Sequence, residues 1–298
     1  MKKSLIALAV LAAAGTSFAQ STVTLTGKMN IGIAKTGDAK AALTGGADGS
    51  DSRIIFRGTE DLGGGLKANF HAETGFKPDT GNLDNTNSQL FQRGAWGGVS
   101  GGFGEVRAGR QYTLGFFGSI GNMPSTYVDP QLAVGLGFNG MGSRNSDQIQ
   151  YWSPKMGGAQ LRVSTQLAGD SATAADEVAL AYANGPLTVN LTTASVNGTS
   201  GNHIGLNAGY NFGAAAVTVG MVDKAGDGTG KGSFVRVTAP MGAMSLFAGY
   251  ATNSDTKTNA QDVGVFYSLS KRTRLYALHG TGNKAVADRT SVGIDHNF

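Results

Sequence analysis

Few side chains that could do covalent or metal chemistry stand in a working pattern in this 298-residue chain. It has no cysteine, so neither a disulfide framework nor a thiolate metal site can form. The four histidines, His71, His203, His279 and His296, are scattered without ligand spacing. Serines are plentiful, but none pairs recognisably with a histidine as a hydrolase would need. Residues 135–140 spell GLGFNG, a dinucleotide fingerprint by letters alone, since no strand feeds a helix there. Gly230-Lys231 fails as a phosphate loop because Gly232 stands where Ser or Thr is needed. Asp223 and Asp227 read as a solvated turn rather than a calcium loop. The informative residues carry fixed positive charge: Arg53, Arg57, Arg93, Arg107 and Arg144. Guanidinium groups stay protonated in proteins, and side-chain charges of one sign lining a narrow passage select ions by sign. The expected chemistry is therefore electrostatic, with no cofactor, no metal and no catalytic group.

The elements that must position these arginines begin after a leader. Met1-Lys2-Lys3 starts positive, an apolar run follows from Leu5 to Ala14, and Ser17-Phe18-Ala19 is a small-x-small cleavage pattern. Residues 1–19 read as a secretory signal peptide, since the run is too short to span a bilayer. Removing Lys2 and Lys3 leaves 22 basic against 20 acidic residues, a net +2. With no basic patch interleaved with aromatics, and with export, nucleic acid is not an expected partner.

From Val23 onward the chain alternates. Val23, Leu25, Met29, Ile31 and Ile33 fall on one parity, and Thr24, Thr26, Lys28 and Asn30 on the other. The same period of two recurs through residues 160–167, 187–192, 203–212 and 292–298. Short breaks at 61–65, 100–102, 154–158, 184–186, 211–214, 239–242 and 270–272 alternate with longer polar ones at 37–51, 76–88, 112–144, 168–175, 196–202, 223–231, 251–260 and 280–289. Seven short and eight long connections imply sixteen strands. Pro154, Pro186 and Pro240 fall in the short turns, where a missing N–H does least harm.

The polar parity is rich in Gly, Ala, Thr, Asn and Ser, while the apolar parity carries aliphatics, with Trp96, Tyr182, Tyr210, Tyr250 and Phe298 near strand ends. That is the pattern of an outward apolar band with aromatic girdles around a wet interior. A bilayer forbids open sheet edges, so the strands must close on themselves. The fold expected is all-β: a sixteen-stranded antiparallel transmembrane barrel over residues 20–298. Sixteen strands leave an aqueous lumen.

Several segments resemble the general diffusion porins of the beta-proteobacterial outer membrane. They are Ser52–Ala68, Arg93–Trp96 with Gly102–Arg110, Arg144 with Ile149–Tyr151 and Ser153-Pro154, Ser270–Thr273, and Val292–Phe298. The likeness runs from about Val23 to Phe298, with the long loops matching poorly. It implies a homotrimer in the outer membrane of a Gram-negative bacterium, among outer-membrane lipid, passing small polar solutes by passive diffusion. It also implies that the third long loop, residues 112–144, folds into the lumen. By this resemblance Arg53, Arg93 and Arg144 are the constriction arginines; the loop sets one acid, Asp129, against them, and that imbalance predicts a preference for small anions.

Parity independently turns Arg53 and Arg93 inward, together with Arg57 and Arg107. Arg53 and Arg57 lie opposite Ile54 and Phe56, Arg93 opposite Trp96, and Arg107 opposite Val106 and Ala108. They should face water, because Arg at mid-depth on the lipid face of a barrel costs about 2–4 kcal/mol. Glu105 and Asp295 share the inward parity, and Arg110 breaks it, as a residue tying the loop base to the wall would. The resemblance makes the terminal Phe298 the assembly signal for the outer-membrane insertion machinery. Two other readings remain open at this stage: a substrate-selective channel, which needs a ladder of binding groups along the lumen, and an outer-membrane barrel enzyme.

Overall fold

The computed structural model describes residues 21–84, 89–119, 143–167, 175–197, 201–224, 231–283 and 287–298. The leader at 1–19, the fingerprint lettering at 135–140, Asp129 and Asp227 lie outside them. The strands are β1 (Thr22–Thr36), β2 (Ala42–Gly45), β3 (Ser52–Gly63), β4 (Leu66–Phe76), β5 (Gly94–Gly101), β6 (Gly104–Tyr112), β7 (Arg144–Trp152), β8 (Ala159–Gln166) and β9 (Ala175–Asn184). They continue as β10 (Leu187–Val196), β11 (Asn202–Asn211), β12 (Ala216–Lys224), β13 (Gly232–Met241), β14 (Met244–Asn253), β15 (Thr258–Ser268), β16 (Thr273–Gly282) and β17 (Arg289–Asn297). One helix, α1 (Leu114–Ser119), follows β6.

From β3 to β17 each strand pairs antiparallel with the next, β1 pairs with both β2 and β3, and β17 returns to β1, so the sheet closes. The period-two pattern fixes the register against lipid. Val23, Leu25, Met29 and Ile33 of β1 are exposed, whereas Lys28 and Asn30 between them are buried. Leu161, Val163, Ile204, Leu191, Val292 and Ile294 are exposed in the same way. A one-residue slip in any strand would exchange its two faces, so lipid on one side and water on the other specify the register. Phe103, Tyr210, Phe212, Tyr267 and Phe298 are exposed near the short-turn end, giving one aromatic girdle.

Sixteen full strands make the wall, and the seventeenth segment is β2. The upper half of β1 pairs with β2, from Ile31↔Gly45 to Ala34↔Ala42, and its lower half with β3, from Thr22↔Thr59 to Lys28↔Arg53. Between them residues 46–51 leave the wall, where Gly46 (φ 65°) and Gly49 (φ 81°) take conformations that L side chains disfavour. Ala47 and Asp48 become fully buried. Asn30 donates to Asp48 and to Ser50 O (2.7 Å), and Tyr276 Oη donates to Asn30 Oδ1 (2.8 Å). The long loop expected at 37–51 is thus partly strand and partly a buried tuck.

Three other expectations are corrected. Pro240 is not in a turn; it sits in β13 opposite Ser245, next to the last rung, where little of the ladder remains to be lost. The connection expected over 251–260 shrinks, because β14 and β15 pair up to Asn253↔Thr258. The interior is also not uniformly wet: Phe247, Phe266, Tyr276 and Leu278 form a buried apolar cluster with Ala34 and Ala47.

Glycines opposite aromatics mark the places where ring and backbone meet. A Cβ on Gly27 would lie 2.3 Å from Phe298 Cζ and 2.5 Å from Arg53 O. Phe298 also completes the seam: its N–H donates to Gly27 O (3.1 Å) and its O accepts from Gly27 N–H (2.9 Å). Gly27→Val should therefore lower the temperature at which the folded band converts to the unfolded one on unheated-versus-heated gels. Gly97→Val is the matched control, since its Cβ would meet nothing nearer than 3.9 Å.

Candidate functional site

The inner faces of β3–β8 carry the arginines. Arg53 and Arg57 alternate with exposed Phe56 in β3, as a strand requires. Arg93 gets inside by a different route. β5 begins at Gly94, so strand parity does not reach Arg93, and within β5 it is Trp96 that turns inward. Trp96 is therefore a lumen residue and not part of the outer girdle.

Arg93 is the most heavily paired base, at 8% exposure. Its Nε donates to Glu73 Oε1 (2.8 Å), and its Nη1 meets Asp51 (2.9 Å) and Asp84 (3.4 Å). Burial would pull this guanidinium down, but Asp51, Tyr112 and Glu73 outweigh it and hold it above its ordinary value. Glu73 also lies 3.8 Å from Arg53 Nη1 and 3.1 Å from His71 Nε2. Arg53 and Arg93 thus converge on one carboxylate. The sequence reading sets only the loop's Asp129 against them and misses Glu73, Asp51 and Asp84, two of which lie on loops.

Further round the wall the cations lose their carboxylates and gain rings. Arg57 Nε donates to His71 Nδ1 (3.4 Å), and His71 stacks on Trp96 with centroids 5.5 Å apart and planes 8° from parallel. The Arg107 Cζ lies 4.9 Å from the Trp96 centroid and 3.8 Å from that of Trp152. Arg162 Cζ is also 3.8 Å from Trp152 and 5.5 Å from Phe117. Register explains the row: Arg57↔His71, His71↔Trp96, Gly98↔Arg107, Arg107↔Gln150 and Trp152↔Arg162 are cross-strand partners. Arg144 follows the same rule, with its Cζ 3.9 Å from the Tyr112 ring and Nη2 donating to Tyr112 Oη. Among the described residues, Arg57, Arg107, Arg144 and Arg162 have no carboxylate within ion-pair distance. Glu105 shares the face of Arg107 but does not bridge to it.

The facing wall treats cations differently. Arg236 lies 4.2 Å from the Phe247 ring and Arg274 4.0 Å from Phe266, yet each also meets a carboxylate. Arg236 is 3.6 Å from Asp262, and Arg274 is 2.8 Å from Asp295, which also takes Lys28 at 2.7 Å.

The start of the third long loop turns inward. Helix α1 packs on the inner faces of β8–β12. Glu177 of β9 accepts from Leu114 N–H (3.0 Å) and Gly115 N–H (2.8 Å), satisfying two donors that a helix start leaves free. Thr192 donates to Leu114 O and Asn207 to Phe117 O, so β10 and β11 hold the same turn. Arg110 sits at a register break between β6 and β7, where Gly109 has φ 130°. It donates to Gln92 O (2.5 Å) and Ser146 Oγ (3.1 Å), tying the approach to β5 to β7.

A cavity of about 320 Å³ opens between Arg57, His71, Trp96, Arg107, Phe117 and Trp152. No group of three or more His, Asp or Glu among the described residues could hold a metal ion.

Sequence comparison matches residues 5–284 to the Gram-negative porin family. The chain belongs to the Gram-negative porins. This porin is 36% identical to outer membrane porin protein 32 of Delftia acidovorans, over 93% of the chain and 88% of that protein. It is 30% identical to an outer membrane porin of Bordetella pertussis over the full length of both. In structure it resembles an anion-selective porin from Comamonas acidovorans, with 27% identity and a TM-score of 0.73 over 94% of this chain and all of that one. The barrel of OmpT from Vibrio cholerae, a trimer form, shares the fold at 16% identity, with a TM-score of 0.72 over 93% of this chain and 99% of that one. The porin is an outer-membrane protein, and its lumen is a water-filled diffusion channel.

Glu73 is the hinge of the porin's paired cluster, and its removal separates the two kinds of arginine. Glu73→Gln should move the zero-current potential in a salt gradient toward anions, because Arg53 loses the one carboxylate it meets among the described residues. Arg93→Gln should move it the other way, because Asp51 and Asp84 lose their cation and Glu73 is left with Arg53 and His71.

Proposed function

We propose that this porin is a passive channel preferring small anions and neutral polar solutes. One observation carries the reading: four arginines, Arg57, Arg107, Arg144 and Arg162, line one wall without carboxylate partners among the described residues. A one-signed wall raises the local concentration of the opposite ion and repels its own kind. The printed selectivity of the Comamonas porin agrees with it.

The narrowest part is set by Arg53, Arg93 and Arg144, with the loop carrying Asp129 across from them. Arg93 serves chiefly as a structural cation there, because its charge is matched. The net field comes from the stacked arginines beside it. The inward seating of α1 on Glu177 supports a loop that crosses the lumen. Residues 1–19 are removed on export. Three copies assemble in the outer membrane, as in the trimer form of the Vibrio relative. Phe298, whose backbone forms the last rung of the seam, is the signal read by the assembly machinery. The reading assigns no reaction to the lumen.

Reconstitution in a planar bilayer under a potassium chloride gradient tests this directly. The expected record is steps closing in threes with a zero-current potential on the chloride side. A potential on the potassium side would overturn the anion preference.

A further inference from the structure

The stacked row raises a question of charge balance. Glu105 and Arg107 are two residues apart in β6 and share its inner face, where a salt bridge between them would be unremarkable. None forms. Arg107 instead lies between two indole rings, at 4.9 Å from Trp96 and 3.8 Å from Trp152. Its Nη2 donates to the neutral Gln150 Oε1 (3.2 Å), which also accepts from Trp152 Nε1 (2.9 Å). Arg107 Nε is buried with no hydrogen-bond partner. Nearby Gln111, 3% exposed and lining the same cavity, has neither amide atom paired. The guanidinium is therefore held against two rings and without an ion pair among the described residues, with both rings bordering the 320 Å³ cavity.

We propose that Trp96 and Trp152 are specificity-determining positioning residues: by clamping Arg107 they keep its charge from Glu105 and leave it for permeating anions. The inference rests on the anion-preferring reading above. Its physical basis is that a guanidinium is attracted to a ring face, and more strongly when water is excluded. Two such contacts compete well with a solvent-screened ion pair, which contributes little. The rings themselves carry no charge, so replacing them leaves the lumen's charge count untouched. Contrast with the facing wall strengthens the assignment. There Arg236 and Arg274 each have a ring on one side but also an aspartate, and so contribute little net field.

The test is the zero-current potential of bilayer-reconstituted protein in a potassium chloride gradient, converted to a chloride-to-potassium permeability ratio. Trp96→Leu combined with Trp152→Leu should lower that ratio at least about twofold, approaching the value of Arg107→Gln. Trp96→Phe with Trp152→Phe should hold it near the parent's. Adding Glu105→Gln to the leucine pair should restore it, because the released arginine then has no carboxylate to join. Arg107→Lys provides a separate arm should the leucine pair fail to assemble. Lysine keeps the charge but is a compact, hydrated ammonium without a stacking plane. It should lower the ratio, and Glu105→Gln should again recover it. Unchanged ratios in the leucine pair, or in Arg107→Lys, would overturn the clamp. A parent ratio already favouring potassium would instead overturn the anion reading beneath it.

Discussion

Every backbone N–H and C=O in the hydrocarbon of a membrane has to find a partner within the protein, at several kcal/mol for each one left over. The rest of this structure follows from that demand. Sixteen strands can meet it only by closing, and closure occurs where β17 lies along β1 from Lys28↔Asn297 to Thr36↔Arg289. Gly27 and Phe298 add the last two hydrogen bonds. Once the wall is closed, each strand has one face in lipid and one in the lumen, and side-chain alternation does the sorting. Aliphatics go out because water rejects them; arginines go in because lipid does.

Within the lumen the charges are handled in two ways. Over β13–β17 and β1, Arg236, Arg274 and Lys28 meet Asp262, Asp295 and Asp48, and the tuck at 46–51 packs over a small apolar cluster. That wall braces the seam with mostly paired charge; Arg289 of β17 donates to Ala47 O and has no carboxylate within ion-pair distance among the described residues. Over β3–β8, one tight cluster gathers Arg53 and Arg93 around Glu73, and beyond it the guanidiniums lie on rings. Aromatic faces steady a cation without cancelling it, whereas carboxylates do both. We attribute the sign of the channel to the asymmetry between the walls rather than to the net charge of the chain.

Much of this was legible in the sequence, for a physical reason. Lipid on one side and water on the other impose a strict period of two, so strand number, the lipid band and the inward aim of Arg53, Arg57 and Arg107 could be read from residue order. Parity failed where the chain is not strand. Arg93 sits one residue before β5, so Trp96 was placed on the wrong face. Asp51, Asp84 and the tuck lie on loops, which carry no periodicity. Glu73 was missed for another reason: it acts through cross-strand register, and Glu73↔Gly94 is fixed by hairpin geometry two strands long. The ring–arginine row has the same origin, since its members come from six strands and no local motif holds them. Aromatics facing glycines, such as Phe298 on Gly27, were equally invisible until strands were paired.

The central claim is that unpaired arginines on the β3–β8 wall, not the paired cluster around Arg93, set the sign of the channel. The most direct measurement is the zero-current potential of Arg57→Gln/Arg107→Gln/Arg162→Gln in a potassium chloride gradient. The account predicts that the chloride preference of the parent is lost or reversed while open channels persist. A triple variant with the parent's chloride preference would contradict it.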